Sequence, residues 1–260
     1  MRKSWKVALV QIASRPFLLE DNLQAAVDAA GKAADAGAEV ILFPEMFLTG
    51  YVLGEAVEAF AMPVEASALA VLRQCAAERN IAIVMGFPHR AADGKVYNAA
   101  AFLDRDGSLA GIYHKTHRFG EVDKAQFAPG GRIAAFDTTL GRVGMQICYD
   151  IEFPEVSRRL ALSGAELLLG ISANMHPYTD LHALLVRARA IENHLPFAYV
   201  NAVGQEGDFT YCGRSEAVDA EGVVLTAGGE EEAILFADLP AADHADENLE
   251  YLTQRRTDLY

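Results

Sequence analysis

Cysteine is scarce in this 260-residue chain: Cys75, Cys148 and Cys212 are widely spaced, odd in number and form no CxxC pair. That excludes a disulfide framework or a thiolate zinc site as the basis of the fold, and it points to a reducing, cytoplasmic setting. Positive charge is also short, with 22 Lys and Arg against 36 Asp and Glu and a formal net charge of -14. Nucleic-acid binding through a basic face is therefore not expected. The acidity speaks for solubility and says little about substrate. No apolar run reaches the roughly 18 residues of a membrane-spanning helix, so no membrane partner is expected. The start, MRKSWKVALVQIA, sets basic residues ahead of an apolar stretch. That stretch is short and contains Gln11, so it reads as a first buried strand rather than a secretory signal. The histidines (His89, His114, His117, His176, His182, His194 and His244) show no HExxH or comparable ligand spacing, and no metal is expected. There is no low-complexity linker, charge block or internal repeat.

What is present is a 52% hydrophobic chain of a size that buries a large core, read as one domain over residues 1–260. Residues 5–12 read as a strand. Residues 20–36 have helical apolar spacing, with Asp21 as N-cap and Gly37 as the stop. Residues 39–43 form a short strand ending at Pro44, 64–79 a helix, and 81–87 a buried strand. YNAAAFLDRDGSLAGIYHK reads as two strands joined at Asp106-Gly107. GRVGMQICYD is another strand, and Pro154 opens a helix with Glu155 in its first turn. Residues 166–172 are a strand, and 179–194 a helix capped by Thr179 or Asp180. PFAYVNAVG is a strand, and a hairpin-rich final third contains SEAVDAEGVVLTAG and EEAILFADL. Helix–strand alternation interleaved with hairpins predicts an α/β sandwich with helices outside two sheets.

Three short segments can carry chemistry. Phe43-Pro44-Glu45 puts a carboxylate straight after an apolar strand, on rigid backbone. By itself it also suits an ordinary loop acid. Tyr113-His114-Lys115-Thr116-His117-Arg118-Phe119 puts a lysine in an aromatic, histidine-rich stretch where a desolvated charge acts strongly. Alone, it suits a snorkelling edge-strand lysine equally well. Gly144-Met145-Gln146-Ile147-Cys148-Tyr149-Asp150 ends an apolar strand at a cysteine, before a turn into the Pro154 helix. That is the strand-to-helix elbow that serves hydrolase nucleophiles, although an isolated buried Cys is ordinarily a small hydrophobe. Thiol attack on an amide or nitrile carbon needs a nucleophile, a base that takes and returns a proton, and a positive group for the tetrahedral intermediate. Cys, Glu and Lys supply each function once, all at predicted strand ends.

FPE, YHKTHRFG and GMQICYDIEFPE, in this order and at these separations, resemble the nitrilase superfamily of carbon–nitrogen hydrolases. VALVQIA, PGGRIAAFDTTLGRVG and RARAIEN extend the resemblance over nearly the whole chain. It implies a four-layer α-β-β-α sandwich, no cofactor, and a homodimer or larger homo-oligomer. It also implies Glu45 as general base and acid, Lys115 as oxyanion stabiliser and Cys148 as nucleophile, with the Tyr149 backbone N–H as a second oxyanion donor. Many members of the family carry a further glutamate before the Pro129-Gly130 turn. Here Asp123 stands at that place and Glu121 two residues earlier, and either is a candidate. The resemblance sets the Asn174 loop by the site. Tyr51, Phe119, Phe153 and Tyr178 are candidate pocket residues, Cys75 is assigned to the core and Cys212 to a strand or the pocket edge. Arg187, Arg189 and Glu192 read as structural ion pairs. The expected reaction is hydrolysis of a small aliphatic or arylaliphatic amide to acid and ammonia through a thioester. An N-carbamoyl compound and a nitrile are next in order. An acyltransferase, a metal hydrolase and a non-catalytic binding protein are the readings of other classes.

Overall fold

A computed structural model describes residues 4–242 and 251–259, so His244 lies outside the described residues. The first half runs β1 (Ser4–Gln11), α1 (Leu19–Asp35), β2 (Val40–Leu42), α2 (Val57–Phe60), α3 (Ser67–Arg79), β3 (Ala82–Arg90), β4 (Val96–Leu103), β5 (Leu109–His114) and α4 (Gly120–Gln126). The second half runs β6 (Phe136–Thr138), β7 (Gly141–Ile147), α5 (Pro154–Leu162), β8 (Leu167–Ser172), α6 (Leu181–Asn193), β9 (Phe197–Asn201), β10 (Val203–Glu206), β11 (Phe209–Cys212), β12 (Glu216–Val218), β13 (Val224–Ala227) and β14 (Ala233–Pro240).

Side-chain alternation along the strands builds the layers. In β1, Val7 and Leu9 face the second sheet, while Ala8 and Val10 pack toward α1 and α3. In β8, Leu167, Leu169 and Ile171 face the first sheet, and Leu168 packs toward α5 and α6. Both faces of these strands are covered, which explains their continuous apolar runs. Two six-stranded sheets result, ordered β14-β1-β2-β3-β4-β5 and β13-β12-β9-β8-β7-β6. Each has a parallel centre, β1-β2-β3 in one and β7-β8-β9 in the other, flanked by antiparallel strands. With α1 and α3 on one outer face and α5 and α6 on the other, the fold is the expected four-layer α-β-β-α sandwich.

Several local expectations need correction. Asp21 does not cap α1: the helix starts at Leu19, Leu18 holds the cap position, and Asp21 lies inside the first turn, paired with Arg15 at 3.0 Å. Its charge there still favours the helix dipole. Asp180 occupies the cap position of α6 without a side-chain cap bond, and the Thr179 hydroxyl pairs instead with His176 at 2.8 Å. GRVGMQICYD is not one strand, because β7 stops at Ile147 and Cys148–Glu152 forms a 3-10 turn. The expected hairpin within SEAVDAEGVVLTAG does form, but EEAILFADL does not extend it. β13 pairs with β12 in the second sheet, whereas β14 crosses to pair with β1 along its whole length. That crossing covers the β1 edge and adds Leu239 to the core between the sheets. Arg187 pairs with Glu216 at 2.9 Å, and only Arg189 pairs with Glu192. No helix among the described residues is long and apolar enough to cross a membrane.

Trp5 provides one of the polar links between the sheets. The buried Trp5 Nε1–H of β1 donates to the Leu140 carbonyl before β7 at 2.8 Å. Trp5→Phe leaves that carbonyl unpaired, so about 1–3 kcal/mol of stability should be lost. Urea unfolding checks this as a lower midpoint at unchanged slope.

Candidate functional site

Strand ends from both sheets deliver the chemistry to one place. Residues after the carboxyl ends of β2, β5, β7 and β8 supply Glu45, Lys115, Cys148 and the Ala173-Asn174 segment. Such a crevice beyond parallel strand ends is where α/β sheets bind ligands. The chain leaves β2 through Pro44, and Met46 adopts a positive φ of 55° just after the carboxylate. Gly86 of β3 makes room for this bend: a Cβ there would lie 2.6 Å from Met46 N and 2.9 Å from Glu45 Cα. The two sheets are joined at this point. Glu45 N–H donates to the Ser172 carbonyl at 3.3 Å, and Ala173 N–H donates back to Glu45 Oε2 at 2.9 Å.

The Lys115 ammonium sits between two carboxylates, 2.7 Å from Glu45 Oε1 and 2.7 Å from Asp123 Oδ2, and all three side chains are buried. Asn98 Nδ2 also donates to Glu45 Oε1, at 2.7 Å. Asp123 is held in turn by the Tyr51 hydroxyl at 2.8 Å and by Phe119 N–H at 2.8 Å. The Tyr51 ring lies 5.7 Å from Lys115 Nζ. Burial acts to lower the Lys115 pKa, and the negative groups around it, Glu45 first, outweigh that and hold it well above the ordinary lysine range. Burial raises the Glu45 carboxyl, only partly offset by Lys115.

Cys148 follows β7 with a positive φ of 47°, a conformation that a non-glycine residue holds only when its surroundings enforce it. Its thiol is pushed well above the usual range, first by burial and then by the charge of Glu45. Lys115, the Ser172 hydroxyl and the Ala173 N–H pull the other way. The sulfur is therefore within electrostatic reach of both partners.

Asp150 fixes the elbow to the lysine segment. It accepts from the Tyr113 hydroxyl (2.9 Å), the Thr116 hydroxyl (2.6 Å), His117 N–H (2.9 Å) and the His117 ring at Nδ1 (2.9 Å), and more loosely from Ile147 N–H (3.3 Å). One buried carboxylate thus locks the backbone on both sides of Lys115 to the turn that presents Cys148.

A cleft of about 190 Å³ opens over the sulfur, lined by Phe119, Cys148, Tyr149, Glu152, Asn174, Met175, Tyr178, Leu181 and His182. Of the residues expected from sequence, Glu45, Lys115 and Cys148 come together, with Asp123 beside them. Glu121 does not: its side chain is 90% exposed and pairs with Lys124, because it lies on the outer side of the short helix α4. Asn174 and Tyr149 line the cleft, and the Tyr149 ring also packs edge-on to Phe119. Tyr51 does not line the cleft. It is buried behind the carboxylates, in a water-sized cavity of about 10 Å³ bordered by Glu45 and Glu206. Phe153 is likewise outside, stacked on His117 at 3.7 Å. Cys75 is in the core under α3, and Cys212 is buried in β11, 3.3 Å from the Asn174 carbonyl.

Asn98, Ser172, the Ala173 N–H and Glu152 were not singled out from the sequence. Asn98 and Ser172 sit inside strands that read simply as apolar runs. Asp150 had a usable signal, an acid two residues after a cysteine at a buried strand exit. No group of three or more His, Cys, Asp or Glu placed to hold a metal occurs among the described residues.

Two facing sheets between helices, with a carboxylate, an ammonium and a thiol at their strand ends, define an α/β sandwich enzyme of thiol chemistry. The sequence profile described as carbon–nitrogen hydrolase matches residues 6–246, and the chain belongs to that family, the one the sequence motifs resembled. It is 38% identical to a protein of Pseudomonas protegens described as a hydrolase in the pqqF 5' region, over 99% of this chain and 91% of that one. It is 36% identical to an (R)-stereoselective amidase of a Pseudomonas species, over 96% of this chain and 91% of the relative. Among solved structures, an amidase from Nesterenkonia sp. superposes with a TM-score of 0.88 at 33% identity, covering 100% of this chain and 96% of that one. A mutant of that amidase carries the acetamide moiety of fluoroacetamide bound covalently at its active-site cysteine.

Asp150→Asn replaces an acceptor that meets four close donors with an amide that can accept at only one atom. Displacing the 113–117 segment by about an ångström is enough to cost roughly a hundredfold in rate. We expect kcat/KM to fall by about that factor while far-UV circular dichroism is retained.

Proposed function

We propose that the protein hydrolyses a small linear amide to a carboxylic acid and ammonia through a Cys148 thioester. The observation that supports this best is the buried ammonium of Lys115, clamped between Glu45 and Asp123 within electrostatic reach of the Cys148 thiol. As sulfur attacks the carbonyl carbon, Glu45 takes the thiol proton and the carbonyl π pair moves to oxygen. Lys115 has three N–H donors, and two are engaged by carboxylates, so the third is available for the oxyanion. The Tyr149 backbone N–H, next after Cys148, is the second donor in this reading. Glu45 then protonates the departing nitrogen, the C–N bond breaks and the thioester remains. Glu45 next deprotonates a water that attacks the thioester, the C–S bond breaks, and the sulfur recovers its proton. Asp123 acts by positioning, since it fixes Lys115 and leaves Glu45 free to exchange protons. The family membership and the resemblance to named amidases favour an amide over a carbamoyl compound or a nitrile. The reading extends to a homodimer through the α5–α6 face, where Leu162, Leu184 and Ile191 are exposed.

Two outcomes test this. Cys148→Ala should lose at least about 10⁴-fold of ammonia release, as expected for removal of a covalent nucleophile, while still binding amide. In the wild type, mass spectrometry after quenching should find the acyl group on the peptide containing Cys148. Turnover by Cys148→Ala near the wild-type rate would refute the proposal.

The pH profile follows from Glu45. It must be ionised to accept the thiol proton, and its folded pKa is raised above 4.5 by burial. The acid limb of kcat/KM should therefore have its midpoint on the alkaline side of 4.5, with activity increasing as pH rises through it. The same raised pKa makes Glu45 a stabilising contribution below its unfolded pKa, lost as pH climbs through the folded one.

A further inference from the structure

Resting on the amidase reading, we infer that the cleft selects amides whose acyl chain ends in a cationic amine, with the Glu152 carboxylate as its counter-ion. The walls of the cleft are apolar and aromatic, from Phe119, Tyr149, Met175, Tyr178 and Leu181. Among the described residues, Glu152 is its only acidic lining residue, and neither Lys nor Arg lines it. Cys148 and Glu152 are the two ends of one 3-10 turn, so about 8 Å of axial rise separates them. An acyl chain with about four atoms between the carbonyl carbon and a terminal nitrogen spans that gap.

The Glu152 side chain is 28% exposed, so it faces the cleft while remaining partly desolvated. Its Oε1 lies 3.4 Å from His182 Nε2, and no described residue donates to Oε2. His182 Nδ1 is 2.8 Å from the Tyr199 hydroxyl. The His182 ring thus bridges the Tyr199 hydroxyl and Glu152 Oε1, which orients the carboxylate. The Arg189 guanidinium is turned to the backbone: it donates to the carbonyls of Ile151 (3.0 Å) and Glu152 (3.2 Å) and to the Glu192 side chain (3.2 Å). Lys115 offers no compensation either, since it is already outnumbered by two carboxylates. A carboxylate on the substrate would meet negative charge at both ends of the cleft. An ammonium would meet Glu152 and aromatic side chains, both able to attract a cation in a partly desolvated cleft. A neutral chain gains only the apolar walls.

The test is a matched series at pH 7: 5-aminopentanamide, hexanamide and the monoamide of adipic acid, scored by kcat/KM for ammonia release. The amino amide should exceed the neutral one by about tenfold, and the carboxylate should fall about tenfold below it. Glu152→Gln should bring the amino-to-neutral ratio close to one. Raising the salt from about 20 to about 500 mM should narrow the same ratio in the wild type, so the inference does not depend on the variant folding. If the neutral amide equals or exceeds the amino amide in the wild type, the inference is overturned and the amidase reading stands. A ratio that Glu152→Gln or salt leaves unchanged overturns it equally. If no member of the series releases ammonia, the amidase reading fails, and this inference with it.

Discussion

A buried ammonium between two buried carboxylates is the interaction on which the site depends. Removing a lysine charge from water costs several kcal/mol, and only close, hydrogen-bonded counter-charges offset that. Lys115 meets Glu45 and Asp123, both at 2.7 Å. The three residues come from the end of β2, the end of β5 and helix α4, so none can move without stranding a charge. One positive group against two negative ones also leaves the cluster with excess negative charge. For Glu45, burial raises the pKa and Lys115 offsets only part of that, with the Asp123 charge acting on the side of burial, which suits the proton-exchanging role proposed for it.

The rest of the site is backbone held in place. Cys148 and Met46 both adopt positive φ, Cys148 immediately after β7 and Met46 four residues beyond β2. Glu45 and Ala173 exchange hydrogen bonds between the two sheets, and Asp150 fastens the 113–117 segment to the cysteine turn. The proposed proton transfer and attack take place among side chains whose supporting strands are covered by helices on one face and by the opposite sheet on the other. The cleft beyond them has a different composition, apolar with a single acid, and this is where discrimination between substrates is expected.

The layered fold was legible because period-two and helical patterns are local. Val7 and Leu9 against Ala8 and Val10, or Leu167 and Leu169 against Leu168, reveal strands buried on both faces, and Pro154 marks a helix start. Caps and strand partners were less legible. Asp21 looks like a cap in sequence, but the true helix start two residues earlier follows from how Leu19 and Leu23 pack on the first sheet. The pairing of β14 with β1 joins segments more than two hundred residues apart, beyond any local signal. In the site, the three reactive residue types could be named from their motifs. The choice of Asp123 over Glu121 could not, because it depends on which side of α4 turns inward.

By itself the sequence determined the classes of segment, the family and the three reactive residue types, since these depend on periodicity and short motifs that a linear chain records. The tertiary structure alone decided which acid joins Lys115, that Tyr51 stands behind the cluster instead of in the cleft, and that Glu152 lines the cleft. Those outcomes depend on distances between segments far apart in the chain. Electrostatic energy varies with such distances and with burial, and neither is written in the order of residues.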